Sequence, residues 1–197
     1  MVNDLTTLFK SQIYHVNDLK ENINSFILKK LEEEKKLNYK NQKSNVGGFQ
    51  TKILSMDKEL KSFIGEHTII YLKNFKLRKE CKYLEVDMGS FWINENNNLN
   101  YNILHTHIGS GVDLSGVYYV KCPKNSGNIS FYNSDHEGTS LANIFEGFNE
   151  YNSVNVNEGD LILFPSSFKH MVEPNLSNES RISISFNLCL NFKTSYN

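Results

Sequence analysis

The chain of 197 residues has no surplus of charge: 21 Lys and Arg stand against 22 Asp and Glu, a net charge of −1. Nonspecific nucleic-acid binding needs a phosphate-neutralising excess of cations, so the balance argues against nucleic acid as a partner. No uninterrupted apolar run approaches the ~18 residues of a membrane helix. The N-terminus MVNDLTTLFK lacks the basic region and apolar stretch of a signal peptide. Cysteine is scarce, with Cys81, Cys122 and Cys189 scattered and odd in number. That pattern argues against a disulfide frame or a zinc knuckle and suits a reducing cytosol, so a cytoplasmic protein is expected. Proline is also scarce while Asn and Lys are abundant, which reflects an AT-rich genome rather than a function. What is present is an ordinary globular composition, 39% hydrophobic and 22% charged, in a chain long enough to bury a core without disulfides or structural metal.

The pattern divides the chain. Residues 1–80 read as helical. Asp18 and Glu21 have the form of a capping box, followed by Leu19, Ile23, Phe26, Ile27 and Leu31 at helical spacing. The LEEEKK run after them reads as a solvated last turn. Residues 38–50 are polar with Gly47-Gly48 and read as a loop. A second helix is predicted from near Asp57, with Leu60, Phe63, Ile64 and Tyr71 on one face. From about Tyr83, β-branched and aromatic stretches alternate with Asn, Gly and Ser turns. They predict strands near 83–94, 99–107, 114–121, 127–133, 151–156, 160–164, 168–173 and 181–190. Eight short strands without helices between them suggest a closed or sandwiched antiparallel architecture. The expected layout is a helical portion, 1–80, packed outside a β core, 81–197, as one unit. The N-terminal amphipathic helix can pack on its own barrel, the preferred reading, or on a second copy.

Three features carry chemistry. His105 and His107 close a predicted strand, and residues two apart on a strand face the same side, ~6.5 Å apart, so two imidazoles can converge on one metal ion. His170 lies on a later strand, after Pro165. Arg181 opens the last strand, in which Ile182, Ile184, Phe186 and Leu188 share one face and Arg181, Ser183, Ser185 and Asn187 the other. A small polar face with a single Arg and no Lys or Glu suits a lined cavity holding an anion, because the guanidinium fork matches a carboxylate. The alternative is an exposed strand face. His15, His67 and His136 have no partner at useful spacing, and Asp113 and Asp135 sit in predicted loops. The 133–151 connection is long and reads either as a lid, with Phe145 and Phe148 over a pocket mouth, or as a surface excursion.

These residues, in this order, resemble the Fe(II)- and 2-oxoglutarate-dependent oxygenases, and more nearly a branch of them with short chains. The resemblance is carried by SNVGGFQ at 44–50, Trp92–Asn94 ahead of His105-Thr106-His107, and SGVYY at 115–119. It continues through Gly159–Pro165 leading to His170, and through RISISFN at 181–187. It implies a double-stranded β-helix, a jelly roll. It also implies Fe(II) held by three side chains, with positions left for 2-oxoglutarate and O₂. The implied reaction couples decarboxylation of 2-oxoglutarate to succinate with oxidation, most simply hydroxylation, of a substrate the sequence does not name. By the same resemblance His105 and His170 are metal ligands, and Arg181 with Ser183 anchors the distal carboxylate of 2-oxoglutarate. Asn102 and Tyr119 are candidates to hydrogen-bond the cosubstrate. The wider family carries Asp or Glu where His107 stands here. Iron could be bound by three histidines, a carboxylate such as Asp113 or Asp135 could substitute, or His107 could lie near the metal without binding it. His107 is favoured as a ligand for its strand face, and a three-His site also suits zinc. Two other readings stand beside this one: a three-His dioxygenase that does not use 2-oxoglutarate, and a noncatalytic jelly-roll binding module.

Overall fold

Two antiparallel sheets lie face to face, with two helices on the outer side of the larger one. The computed structural model describes residues 12–37, 39, 43–109, 111–137, 140–144 and 149–194; Phe145 and Phe148, the residues of the expected lid, lie outside them. The elements in chain order are β1 (Tyr14–Asn17), α1 (Glu21–Lys35), β2 (Asn45–Val46), β3 (Phe49–Gln50), α2 (Lys58–Leu72), β4 (Cys81–Asn96), β5 (Tyr101–His105) and β6 (Leu114–Lys121). They continue with β7 (Ile129–Tyr132), one helical turn at Leu141–Ile144, β8 (Tyr151–Val154), β9 (Asp160–Pro165), β10 (His170–Val172) and β11 (Arg181–Thr194). The larger sheet runs β1-β9-β6-β11-β4-β3 and the smaller β2-β5-β10-β7-β8. From β4 onward the chain alternates between sheets, save for the β7–β8 hairpin that stays in the smaller one, which is the winding of a jelly roll. All eight strands expected after residue 80 are present. No helix among the described residues is long and apolar enough to cross a membrane.

The larger sheet is covered on both faces, and this explains its sequence. Tyr118, Val120, Leu161, Leu163, Ile182, Ile184 and Phe186 pack with Ile23, Ile27 and Leu31 of α1 and Leu60, Phe63 and Ile64 of α2. The alternate residues Val117, Tyr119, Ile162 and Phe164 face the space between the sheets, with Ile129 and Phe131. β6 and β9 therefore read as nearly continuous apolar runs, as strands buried on both faces do. Gly116 is required here: a Cβ on it would lie 2.3 Å from the Phe186 ring and 2.8 Å from Leu163. Gly116→Ala is expected to cost about 1–3 kcal/mol by overpacking, a fall of roughly 2–4 °C in melting temperature per kcal/mol in a chain of this size, read by thermal denaturation.

Four expectations about residues 1–80 change. The segment is not helical with a plain loop at 38–50, because β1 pairs with β9, and within that loop β2 joins the smaller sheet through β5 and β3 the larger through β4. Asp18 does not cap α1, whose N-cap is Lys20 without a side-chain cap; its carboxylate accepts instead from Lys20 at 2.9 Å and His67 at 3.0 Å. Leu19 lies ahead of α1 and, like Phe26, is exposed, so the buried stripe of the helix is narrower than the spacing predicts. The LEEEKK run is not wholly solvated: Glu34 is buried and accepts from the Tyr39 hydroxyl, and Lys35 reaches Glu95 of β4 at 2.8 Å. The second helix behaves as expected, with Asp57 at its N-cap accepting from the Leu60 N–H at 2.8 Å.

Candidate metal centre and cosubstrate pocket

β5 and β10 are neighbours in the smaller sheet, and their register sets His105 directly opposite His170. The two imidazole rings stand 4.3 Å apart, centroid to centroid. β5 ends at His105, so the expected strand through 107 is shorter than the sequence suggests. The His107 N–H leaves the ladder and donates to the Ser166 carbonyl at 2.9 Å, in the turn after β9. That contact swings the His107 ring to 5.0 Å from His105 and 5.2 Å from His170. One ligand atom from each of the three residues lies within 4.8 Å of the other two. Neither Asp113 nor Asp135 belongs to this cluster. Asp113 is exposed and accepts from the Leu190 N–H at 2.7 Å, and Asp135 is exposed beside a turn.

The three imidazoles are held in the neutral form. The Nδ1 of His105 lies 2.7 Å from the Ile103 carbonyl, and that of His170 lies 2.9 Å from the Phe168 carbonyl. A carbonyl only accepts, so both Nδ1 atoms carry the proton and both Nε2 atoms are lone-pair donors. Burial holds all three pKa values below the usual imidazole range, His107 at about 4 and His170 at about 3, with neighbouring imidazoles adding to the effect at His107 and His170 and hydrogen bonds opposing it at His105. Between about pH 4 and the unperturbed imidazole pKa of about 6.5, the unfolded chain binds protons that the folded chain refuses. The metal-free protein is thus expected to keep its stability above about pH 6.5 and lose it as the pH falls toward 4. Thermal melts across that window should show a steeper fall for the wild type than for His170→Gln.

Beside the histidines a narrow cavity runs between the sheets. Asn102, Tyr119, Arg181 and Ser183 line it together with His105, His107 and His170, so these seven candidates lie around one cavity, while Asp113 and Asp135 do not. The polar face of β11 is the cavity wall, through Arg181, Ser183 and Ser185, while its apolar face joins the core under the helices. Arg181 is 1% exposed and forms no ion pair among the described residues. Its Nη1 donates to the backbone carbonyls of Ser126, Gly127 and Glu173. Its Nη2 has no partner, and neither has the hydroxyl of Tyr119, which sits opposite Ser183 in the β6–β11 register. Burial pushes the Tyr119 phenol up, so it is a neutral hydrogen-bond donor. Asn102 donates to the Ser44 hydroxyl at 3.2 Å.

Sequence reasoning passed over two residues here. Asn94, in the Trp-x-Asn stretch, lines the cavity and bonds Ser185, with its Oδ1 unpartnered. Gln50, also with an unpartnered oxygen, lines an adjoining cavity. Their positions in the quoted motifs were the available signal. Two histidines set aside from the sequence do have partners: His15 meets Asp160 at 3.1 Å, and His67 lies between Tyr14 and Asp18. Both depend on β1, whose pairing no local spacing reveals.

The donor set fits the groups that the resemblance implies. Three neutral imidazoles suit a first-row divalent ion such as Fe(II). A buried guanidinium with no direct ion pair, and with Glu173 as its more distant counter-charge, favours an anion, and its free Nη2 with the Tyr119 hydroxyl supplies the donors a carboxylate would accept. Fold and site thus define a jelly roll with a cluster of three imidazoles beside a buried guanidinium, an arrangement able to take a divalent metal and an anion. The model of the family described as "Putative 2OG-Fe(II) oxygenase" matches residues 90–187, about half of the chain. The chain belongs to this family; it is an Fe(II)- and 2-oxoglutarate-dependent oxygenase. No curated protein matches the sequence. Among solved structures, a prolyl-4-hydroxylase from Pseudomonas putida superposes with TM-score 0.60 at 10% identity, over 93% of each chain. The α-ketoglutarate-dependent carbocyclase SnoK from nogalamycin biosynthesis gives 0.61 at 15% identity, over 93% of this chain and 82% of that one. HygX from Streptomyces hygroscopicus, with nickel, 2-oxoglutarate and hygromycin B bound, gives 0.59 at 10% identity, over 91% and 83%. At such identities the likeness is one of fold, and it agrees with the double-stranded β-helix expected from the sequence.

Proposed function

We propose that His105, His107 and His170 hold the Fe(II), and that Arg181 with Ser183 anchors the distal carboxylate of 2-oxoglutarate. Tyr119 and Asn102 hydrogen-bond the cosubstrate along the cavity, and the enzyme is a hydroxylase. The observation that carries this reading is the buried, unpaired Arg181, with one nitrogen tied to three carbonyls and the other free in the cavity of the three imidazoles. Bound Fe(II) and 2-oxoglutarate supply an oxidant that places one oxygen of O₂ in a C–H bond, with succinate and CO₂ released. The chain's own residues orient and exclude. The carbonyls of Ser126, Gly127 and Glu173 fix the guanidinium plane, the Nδ1 bonds of His105 and His170 fix their rings, and Phe131 and Phe164 pack close to His170 to keep water from its inner face. The free state of all three cysteines supports work in a reducing cytosol.

The test is the visible spectrum of the protein after anaerobic addition of Fe(II) and 2-oxoglutarate. Keto-acid chelation of bound iron is expected to give a weak charge-transfer band that neither component shows alone. Iron uptake without a band would overturn the cosubstrate assignment, and failure to take up iron would overturn the ligand assignment.

A further inference from the structure

The Ser44–Gln50 stretch is so far a motif without a task. Its two short strands tie the sheets together, β2 pairing with β5 and β3 with β4. The turn between them is tight. Gly47 has φ +78, and a Cβ on Gly48 would lie 2.5 Å from both the Asn45 side chain and the Glu95 carbonyl. Buried Asn45 locks the turn, donating to the Phe49 carbonyl at 3.3 Å and accepting from Asn96 at 3.1 Å. Ser44 lines the cosubstrate cavity and also a second, wider one of about 360 Å³. That volume lies in the range of small-molecule sites. At the end of this rigid clasp stands Gln50, 5% exposed, lining the second cavity with its Oε1 unpartnered.

We propose that Gln50 orients the primary substrate, and that this substrate is an uncharged, partly apolar molecule or side chain presenting an N–H or O–H donor to the Gln50 amide oxygen. The inference rests on the oxygenase reading for the identity of the neighbouring centre. Three features of the lining support it. Trp92, Ile53 and Ile103 give apolar contact, and the two isoleucines are exposed at 64% and 45%, as ligand-facing apolar residues are. Among the described residues the lining has no carboxylate, so a cationic substrate finds no counter-charge among them. The one ammonium among the described lining residues, Lys43, is exposed, and a single solvated charge adds little for an anion. Trp92 also fixes the location, since its ring stands 5.9 Å from that of His107, so a group held between Trp92 and Gln50 lies beside the histidine cluster. An amide side chain can present either end by a half-turn, so an amide, both donor and acceptor, is the matched probe.

Trp92 is the only tryptophan in the chain, and its fluorescence reports this cavity directly. The probes are N-acetyl amino-acid methylamides with neutral, acidic and basic side chains. Each is titrated into the protein loaded anaerobically with Fe(II) and 2-oxoglutarate, and again into the metal-free protein. Neutral members are expected to bind the wild type more tightly than acidic or basic ones, and Gln50→Leu to weaken them at least tenfold. Gln50→Glu, which keeps the size and the acceptor, is expected to shift the preference toward basic members, and it serves as the second variant should Gln50→Leu fold poorly. The 2-oxoglutarate charge-transfer titration should be the same in all three proteins. Equal affinity in Gln50→Leu overturns the proposal. So does the absence of binding by every neutral member, or tightest binding by an acidic member that Lys43→Ala abolishes. A wild type without the charge-transfer band would count against the oxygenase assignment instead, and the metal-free titration would still decide the role of Gln50.

Discussion

Arg181→Met is expected to weaken 2-oxoglutarate binding by roughly 30-fold to a few thousand-fold, the range that follows from losing a buried charge-assisted pair worth about 2–5 kcal/mol. The measurement is the 2-oxoglutarate dependence of the charge-transfer band. The argument is one of position as much as of charge. Nη1 is consumed by three backbone carbonyls, so the guanidinium cannot turn away, and Nη2 is left for the ligand. Arg181→Lys keeps the charge but has no planar fork to serve the carbonyls and a carboxylate together; it should recover only part of the affinity. Thermal stability gives a second readout. A ligand that binds only the folded state raises the melting temperature with its concentration, and that rise should be present in the wild type and absent in Arg181→Met. A methionine variant that binds 2-oxoglutarate normally would place the carboxylate elsewhere.

Removing either His105 or His170 is expected to lower Fe(II) affinity by at least 100-fold, since loss of an outer partner of a metal ligand alone costs about 10–100-fold, and to reduce turnover to background. The readouts are iron retained after gel filtration and succinate formed. His107 is the informative position. His107→Asp restores the carboxylate that the wider family carries, and it lowers the charge of the ligand set by one. It should retain iron and the 2-oxoglutarate band while moving the band's energy. His107→Ala should lose iron if the third imidazole is a ligand, and iron binding at wild-type strength would show that two histidines suffice. Substitution of Asp113 or Asp135 should leave iron affinity unchanged, because neither side chain joins the cluster.

Most of the β half was legible because its signals are local. Alternation along β11 separates Ile182, Ile184 and Phe186 from Arg181, Ser183 and Ser185, and the two sets do face the core and the cavity. The Asp57 cap and the face of Leu60, Phe63 and Ile64 likewise need only a few residues of context. What was not legible depends on partners distant in the chain. Four residues from Tyr14 to Asn17 look like part of a helical region until β9 is present to pair with them. Asp18 satisfies a capping pattern, yet Lys20 and His67 claim its carboxylate. The strand carrying His105 stops there because Ser166, far along the chain, takes the His107 N–H. Gln50 and Asn94 stood inside quoted motifs, but only the packing around them shows that each has a buried amide oxygen left over.

The place of β11 also governs how the chain can fold. It lies between β6 and β4 in the larger sheet, yet it is the last of the described strands in chain order. On a ribosome, β4, β6 and β9 emerge before the strand that joins β4 to β6, and Phe91, Ile93, Tyr118 and Leu163 wait without their shared neighbours Ile184 and Phe186. Nearly all of the pairing in this sheet spans long stretches of sequence, the topology that folds slowly. Nascent chains lacking residues 181–194 should therefore be the species that chaperones hold and proteases cut, and the three histidines, all made earlier, would have no finished pocket beside them until that strand arrives.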